Sequence, residues 1–266
     1  MNCNICNSET KLLFTTLVMN KHQVKYHKCT QCEFIQTEKP YWLNEAYSNA
    51  ITSLDIGYVT RNISLSEVVS SIVQSSFNDK GDFIDYGGGY GLFVRIMRDK
   101  GFKFYVEDPY CQNIFANYFD TSSFDEKKQF ELLTTFEVFE HLDNPLTEID
   151  KMFKRSSSVL FTTELQPNNN ITKISDWWYF APETGQHISL YSLKSLQFLA
   201  KKYNCNLYTN NYNLHLLTPK KFTFNPVKIH SLIHHYKDKI LGRNFKNKKS
   251  LLQKDFSYIQ KEIGKK

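Results

Sequence analysis

The chain of 266 residues has 41% hydrophobic and 23% charged residues, which is the composition of an ordinary globular protein. Its aromatic content of 15% argues against a disordered chain, and the sequence has no apolar run of about 18 residues that would suit a membrane span. The first residues lack the basic and apolar regions of a signal peptide, so we expect a cytoplasmic protein.

The net charge of +6 is distributed unevenly along the sequence. Residues 218–266 hold thirteen Lys or Arg against three acidic residues. This basic segment indicates either a partner or substrate that carries phosphate or another anion, or simply a solvated helical tail.

Four of the six cysteines form two closely spaced pairs, Cys3-x-x-Cys6 and Cys29-x-x-Cys32. Each pair can present two thiolates to one ion, and two pairs complete a tetrahedral four-sulfur site. Disulfides would need an oxidising compartment, and a redox motif of the thioredoxin type uses one pair rather than two. The spacing therefore predicts a structural Zn²⁺ in a ribbon over residues 1–40, with no open coordination position for chemistry.

The rest of the chain divides into three predicted segments. Residues 41–78 carry helical spacing and form a linker or cap, and residues 218–266 form a basic helical segment. Between them, over residues 79–217, strand and helix signals alternate. This alternation is typical of an α/β sheet with crossover helices.

A glycine-rich loop follows the first predicted strand of that segment. The strand, residues 83–86, contains Asp85 and leads into Gly87, Gly89 and Gly91, after which a helical pattern begins. Glycines at these positions let the backbone turn sharply and approach a ligand at the start of a helix.

Acidic residues follow two later strands. The strand over residues 102–107 leads into Asp108, a position from which a carboxylate can accept hydrogen bonds from both hydroxyls of a ribose. A third strand is obscure, around residues 117–120, and a fourth, residues 130–136, leads into Glu137. Because parallel strands place their carboxyl ends at one edge of the sheet, we expect these residues to line one crevice.

Three motifs together carry a resemblance to a known family: Asp85-x-Gly87-x-Gly89-x-Gly91, Asp108-Pro109, and the run from Glu137 to Leu142 that includes Glu140 and His141. The sequence resembles the class I S-adenosylmethionine-dependent methyltransferases. This resemblance implies a Rossmann-like, seven-stranded, mostly parallel sheet with helices on both faces. A nicotinamide site is disfavoured because it commonly needs Gly-x-Gly-x-x-Gly.

The resemblance also implies roles for individual residues. Asp85, Gly87 and Gly89 are expected to hold the methionine end of S-adenosylmethionine, Asp108 its ribose, and Glu137 to lie beside the sulfonium. A four-cysteine segment ahead of such a domain further resembles methyltransferases of bacterial deoxysugar and surface-polysaccharide pathways.

The substrate side is predicted in residues 176–192, where aromatic residues cluster with Glu, Gln and His. His187 is the candidate general base, because an imidazole can take a hydroxyl proton at neutral pH, although a structural role explains it too. Tyr179 and Glu183 are candidate substrate contacts. For His141, capping or packing is an alternative to a role in chemistry.

The loop sequence Thr184-Gly185-Gln186-His187 bears on the acceptor atom. Related deoxysugar C-methyltransferases carry Tyr-x-Glu-His here, so only the histidine matches. Methylation of an oxygen needs one base and in-line placement of the acceptor, whereas a carbon nucleophile also needs stabilisation of an enolate-like intermediate. The sequence therefore favours O-methylation over C- or N-methylation.

The expected substrate is a small sugar-, nucleotide-sugar-, phosphate- or phosphoramidate-bearing precursor of a bacterial capsule or surface polysaccharide. An RNA methyltransferase that uses the basic tail and an inactive binding or scaffold protein are the alternatives. No base-flipping motif of the Asn- or Asp-Pro-Pro-Tyr type follows the fourth strand, which argues against nucleic acid. The oligomeric state is left open.

Overall fold

The computed structural model describes residues 1–47, 55–228 and 248–263. The chain divides into two compact units, each made of stretches that are separated in sequence. The first unit comprises Met1–Thr52, Thr135–Phe153 and Val159–Lys221, and the second comprises Ser53–Thr134, Lys154–Ser158 and Phe222–Lys266.

The elements with described bounds are ten strands and a set of helices. The strands are β1 (Thr10–Val18), β2 (His22–Cys29), β3 (Ile35–Thr37), β4 (Asp82–Tyr86), β5 (Lys103–Glu107), β6 (Leu132–Thr135), β7 (Val159–Thr162), β8 (Ser189–Leu190), β9 (Asn206–Thr209) and β10 (Leu214–Thr218). The α-helices are α1 (Leu43–Ala46), α2 (Tyr58–Ser76), α3 (Leu92–Asp99), α4 (Pro145–Arg155), α5 (Leu193–Lys202) and α6 (Leu252–Ile263). Single 3₁₀ turns cover Thr121–Ser123, Phe139–His141, Ile174–Asp176 and Trp178–Phe180.

The first unit contains a four-stranded antiparallel sheet in the order β1-β2-β3-β8. Strand β2 alternates in burial, with Val24 and Tyr26 pointing into the core and their neighbours outward. The fourth strand, β8, comes from far along the chain and pairs Leu190 with Ile35. The ribbon sheet is therefore completed by the segment that follows His187.

The loop before β8 packs against this sheet. Buried aromatic and aliphatic side chains of the loop, including Trp177 and Phe180, share one core with the ribbon. The buried indole of Trp42 donates a hydrogen bond of 2.8 Å to the carbonyl of Gly185, and the Met19 N–H donates to the Pro182 carbonyl at 2.7 Å. These bonds fix the loop's path on both sides of Glu183.

Three parallel strands of the second unit lie in the order β5-β4-β6. Phe83 and Ile84 of β4 are fully buried, as expected for a strand that is covered on both faces. Helix α3 buries Phe93, Val94 and Met97 on one face. This amphipathic pattern explains why the segment folds as a helix after the glycine-rich loop.

In the first unit, β10 pairs antiparallel with both β7 and β9. Together with the three parallel strands, these form the six strands of the larger sheet. The α/β fold class is confirmed, and the predicted count of seven strands is corrected to six in the described residues. The obscure third strand is reduced to one parallel bridge between Asp120 and Val106, because the chain turns into a 3₁₀ helix directly afterwards.

The predicted helical segments are described in part. The linker contains α1 and α2, and residues 48–54 of it lie outside the described residues. Of the basic C-terminal segment, α6 is helical, whereas residues 229–247 and 264–266 lie outside the described residues. No helix in the described ranges is long and apolar enough to cross a membrane.

Helix α6 is held to α3 by a buried ion pair. The guanidinium of Arg98 donates two hydrogen bonds of 2.8 Å to the two carboxylate oxygens of Asp255 and a third to the Phe104 carbonyl. Bidentate pairs of this kind are stronger than neutral hydrogen bonds and fix geometry as well. Helix α6 is therefore an integrated part of the second unit.

Candidate active site

The glycine-rich loop of the second unit has the geometry of a ligand-binding turn. Gly87, Gly89 and Gly91 have φ values of 69°, 57° and 81°, a left-handed region that other residues avoid, and Gly91 caps the start of α3. Gly88 lies in ordinary backbone space but has no room for a side chain. A Cβ there would lie 2.5 Å from Asp85 Oδ2 and 2.8 Å from Val106 Cγ2.

Asp85 lies beneath this loop and is 2% exposed. One carboxyl oxygen accepts a hydrogen bond of 2.7 Å from the Thr134 hydroxyl. Burial raises the pKa of Asp85 to about 7, and the nearby charge of Asp108 acts in the same direction. Asp85 is therefore substantially protonated at neutral pH in the ligand-free protein.

Asp108 organises the backbone after β5. Its carboxylate accepts hydrogen bonds from the backbone N–H groups of Gly89, Tyr110 and Cys111, at 2.8 to 2.9 Å. The carboxylate thereby ties the glycine-rich loop to the turn that follows the second parallel strand. The structure thus brings together three of the predicted cofactor residues, Asp85, Gly89 and Asp108.

In the first unit, Glu137 follows β6 with a left-handed φ of 55°. Its backbone N–H donates to the Thr162 hydroxyl, which in turn donates to the Glu137 carboxylate, both at 2.8 Å. This reciprocal pair holds a conformation that costs a non-glycine residue about 1–3 kcal/mol. The chain then enters the 3₁₀ turn that carries Glu140 and His141.

That turn is anchored in the core by one ring contact and joined to the loop of His187 by two further contacts. The ring of Phe139 stacks on Phe161 with centroids 3.9 Å apart, which anchors the turn in the core. The Ile188 N–H donates to the Glu140 carbonyl at 2.9 Å, and His141 Nδ1 lies 3.1 Å from the Gln186 carbonyl. As a result the two imidazole rings meet edge to face with centroids 5.0 Å apart.

Both imidazoles are uncharged at neutral pH. Burial lowers the pKa of His187 to about 4 and that of His141 to about 3. Nδ1 of His187 contacts the carbonyl of Tyr179, and a carbonyl only accepts, so Nδ1 carries the hydrogen and Nε2 keeps a free electron pair. Nδ1 of His141 lies 3.1 Å from the Gln186 carbonyl and 3.0 Å from the Tyr47 hydroxyl, which can donate or accept.

Glu140 is a buried carboxyl without a hydrogen-bond partner. It is 0% exposed, and among the described residues neither of its side-chain oxygens makes a hydrogen bond. Burial raises its pKa to about 8, and Glu137 adds to the shift. The hydroxyls of Thr163, Tyr179 and Tyr191 are also buried and unpartnered there. Such a concentration of unsatisfied polar atoms is typical of a functional site.

The four paired cysteines come together in the first unit. Sγ of Cys3 lies 3.5 Å from Sγ of Cys32, and Sγ of Cys6 lies 3.4 Å from Sγ of Cys29. All four sulfurs lie within 4.8 Å of one another, so they can hold a metal ion. A tetrahedral ion with bonds of about 2.3 Å to sulfur separates its ligands by roughly 3.8 Å, which this arrangement fits.

Glu183, a predicted substrate contact, is exposed on the loop and lies outside the group of Glu140, His141 and His187. Sequence analysis gave Glu140 no role of its own, although the Glu137-x-x-Glu140-His141 spacing places an acid and a histidine in one turn. It also gave no role to Gly88, where the constraint is the lack of space for a Cβ and not an unusual φ.

The comparisons with known proteins bear on the enzyme class. Residues 61–210, more than half of the chain, match the model of a family described as a methyltransferase domain. The chain belongs to this methyltransferase family. The predicted enzyme class, a methyltransferase, is thereby confirmed. A search of curated proteins finds no significant match.

Several solved structures are similar to this methyltransferase at low identity. An O-methyltransferase family protein from Burkholderia thailandensis is 11% identical, with a TM-score of 0.48 over 68% of each chain. Magnesium protoporphyrin IX methyltransferase from Synechocystis PCC 6803, solved with bound SAH, is 10% identical, with a TM-score of 0.43 over 66% of this chain and 90% of that chain. Human N-acetylserotonin methyltransferase, solved with SAM, is 13% identical, with a TM-score of 0.42 over 68% of this chain and 66% of that chain.

Gly88→Ala is expected to destabilise the methyltransferase by about 1–3 kcal/mol, because the new Cβ collides with Asp85 and Val106 in a packed interior. Chemical denaturation measures this change. Gly57→Ala is the matched control, since a Cβ there would meet only Arg61 Nη1 at 3.6 Å. A Gly88→Ala variant as stable as this control would contradict the predicted collision with Asp85 and Val106.

Asp85→Asn is expected to change how stability depends on pH. Because the folded protein holds the Asp85 proton up to about pH 7 while the unfolded chain releases it near 3.8, the wild type loses stability as pH rises through this window. The amide introduced by this substitution has no proton to lose and keeps an oxygen for Thr134. The free energy of unfolding of the variant, measured by urea denaturation and compared with that of wild type at the same pH, should therefore increase by roughly 2–3 kcal/mol between pH 5 and pH 8. A constant difference across this range would show that Asp85 is ionised throughout.

Proposed function

We propose that this methyltransferase O-methylates a small acceptor, a sugar-, nucleotide-sugar-, phosphate- or phosphoramidate-bearing precursor of a bacterial capsule or surface polysaccharide. The observation that carries the choice of oxygen is the cluster of buried Glu140 and Tyr179 with half-buried His141 and His187, in which unprotonated imidazoles meet unpartnered polar atoms. A hydroxyl placed there finds both a proton acceptor and hydrogen-bond partners. The polysaccharide pathway is inferred from the sequence resemblance alone.

The cofactor is proposed to bind at the glycine-rich loop. S-Adenosylmethionine supplies a methyl group that is activated by its sulfonium. Asp85, Gly87 and Gly89 would receive its methionine end, Asp108 its ribose, and Glu137 would approach the sulfonium. The lack of space for a Cβ at Gly88 and the left-handed glycines on either side support close approach of a ligand to this backbone.

His187 is the proposed proton acceptor. Its Nδ1–H is fixed on the Tyr179 carbonyl, so its Nε2 electron pair has one defined direction. With a pKa of about 4 the ring is almost fully unprotonated at pH 7, which makes it available although weakly basic. Tyr179 and Glu183 are proposed to contact the substrate, the former from inside the cluster and the latter from its exposed position on the loop.

C-methylation is a second candidate, favoured by one contact. The ring of Tyr179 lies 4.6 Å from that of His187 between centroids, and the same cluster contains Glu140. A tyrosine, a carboxyl and a histidine thus converge here, although the loop sequence itself lacks the tyrosine and the acid. Such a set can take a proton from a carbon next to a carbonyl and stabilise the enolate.

The four cysteines are proposed to hold one structural Zn²⁺. Thiolate ligands and a tetrahedral arrangement favour zinc among the common divalent ions. Left-handed residues follow each pair, Asn7 with φ 60° and Glu33 with φ 60°, so the two halves of the site have the same backbone geometry. The proposed location of the protein is the cytoplasm, where such thiols stay reduced.

His187→Ala is expected to reduce turnover by roughly 10²–10⁴-fold while leaving the affinity for S-adenosylmethionine nearly unchanged. Isothermal titration measures the affinity, and release of S-adenosylhomocysteine with a panel of sugar phosphates and nucleotide-sugars measures turnover. NMR of the product distinguishes an O-methyl from a C-methyl group. His22→Gln, a histidine of the ribbon, is the control. Failure to bind S-adenosylmethionine would overturn the function, and a loss below tenfold would make His187 structural.

Cys29→Ser is expected to remove the metal and to lower the thermal stability of the protein. Wild type should contain about one zinc per chain by elemental analysis, because two knuckles complete one site. Cys205→Ser provides the control, since the Cys205 thiol donates to the Tyr203 carbonyl at 3.4 Å and does not belong to the four-cysteine cluster. A wild-type protein that is as stable without metal as with it would contradict the zinc proposal.

A further inference from the structure

Glu140, His141 and His187 each offer a ligand atom, and these atoms all lie within 4.8 Å of one another. We propose that they form a second metal site, separate from the cysteines, which binds one first-row divalent cation such as Mn²⁺. Bonds of about 2.0–2.2 Å to nitrogen and oxygen place ligand atoms roughly 3–4.4 Å apart. Nε2 of His141 and Oε1 of Glu140, at 3.9 Å, already meet this spacing.

The orientation of the two imidazoles supports this site. A histidine that binds a metal almost always donates its other ring N–H to a carbonyl, a carboxylate or water. Nδ1 of His187 contacts the Tyr179 carbonyl, and Nδ1 of His141 contacts the Gln186 carbonyl. The His187 ring is thus held by a backbone carbonyl and keeps its Nε2 electron pair for a ligand. The His141 ring is held by the Gln186 carbonyl and the Tyr47 hydroxyl, and an Nδ1–H that donates to the carbonyl leaves Nε2 of His141 free as well.

The carboxyl of Glu140 supplies the second, independent observation. It is completely buried, and within the described residues neither oxygen has a hydrogen-bond partner. The hydroxyls of Thr163 and Tyr179 lie beside it and favour its charged form. A polar group in this position is costly unless something pairs with it. A cation satisfies both carboxylate oxygens, and water or substrate on the cation would reach the unpartnered hydroxyls.

The donor set indicates the class of ion and its use. Two imidazoles and one carboxylate suit Mn²⁺, Fe²⁺, Co²⁺ or Zn²⁺, and three protein ligands leave positions open. We assign an open position to the acceptor hydroxyl, an assignment that rests on the proposed function. Coordination lowers the pKa of the bound hydroxyl, so its O–H bond breaks, the proton passes to solvent water and the electron pair stays on oxygen. In this arrangement Nε2 of His187 binds the cation and does not accept the proton, so the cation replaces His187 as the group that activates the hydroxyl.

Titration with Mn²⁺, followed by the EPR signal of the free ion, tests the site directly. The protein is first loaded with one equivalent of zinc at the cysteines and is kept free of S-adenosylmethionine. We expect wild type to bind one further equivalent of Mn²⁺. Glu140→Gln, His141→Ala and His187→Ala should each weaken this binding by at least tenfold. Loss of a group that only hydrogen-bonds to a metal ligand already lowers metal affinity by about 10–100-fold. Thermal melts confirm that each variant is folded.

The control is His22→Gln. In wild type the His22 imidazole, in the ribbon, contacts Glu45 of α1. This variant should bind Mn²⁺ like wild type. Wild type that leaves the free Mn²⁺ signal undiminished, or folded variants that bind as tightly as wild type, would overturn the metal site. Equal methylation rates before and after chelation of Mn²⁺ would overturn the role of the cation and leave O-methylation standing. Stoichiometric Mn²⁺ binding that the three variants lose supports the site even if no acceptor in the panel is methylated.

Discussion

The antiparallel pairing of β3 with β8 is the constraint on which the candidate active site depends. Besides the pairing of Ile35 with Leu190, the Thr37 N–H donates to the Ile188 carbonyl at 3.1 Å, next to His187. At the other end, the Ser192 hydroxyl donates to the Cys32 carbonyl at 2.6 Å. The cysteine knuckle and the histidine loop are therefore two ends of one hydrogen-bonded ladder. A metal on the cysteines would stabilise the position of His187 as well as the ribbon.

Two non-glycine residues near the candidate active site have a strained backbone. Glu137 and Ala181 have φ values of 55° and 43°, although neither is a glycine. Each costs about 1–3 kcal/mol. The bonds between Glu137 and Thr162 offset part of this cost at Glu137, and Phe180, next to Ala181, is buried in the core. Hydrogen bonds and packing therefore hold both strained residues in place.

The parts of the structure that could be predicted are those set by short-range chemistry. The glycine-rich loop, the cysteine pairs and Asp108 depend on residues only a few positions apart, and the fold class follows from the alternation of strands and helices. The convergence of Glu140, Tyr179 and His187 depends on pairing between segments that are distant in sequence, which no local pattern encodes. Strand β8 could not be predicted for the same reason, because it has two residues and its only local signal is the turn before it. The third strand stayed obscure because residues 117–120 form a single bridge to β5, between Asp120 and Val106.

The two candidate metal sites of the first unit differ in ligand chemistry, which has a consequence for how the protein selects ions. Four thiolates form a closed, soft site that favours zinc, whereas two imidazoles and a carboxylate form a harder site with open positions. Because copper and zinc outcompete manganese at most mixed sites, selection in the second site must rest on geometry and availability. On these two proposals, an ion on the cysteines would support the fold, whereas an ion on Glu140, His141 and His187 would act on a substrate.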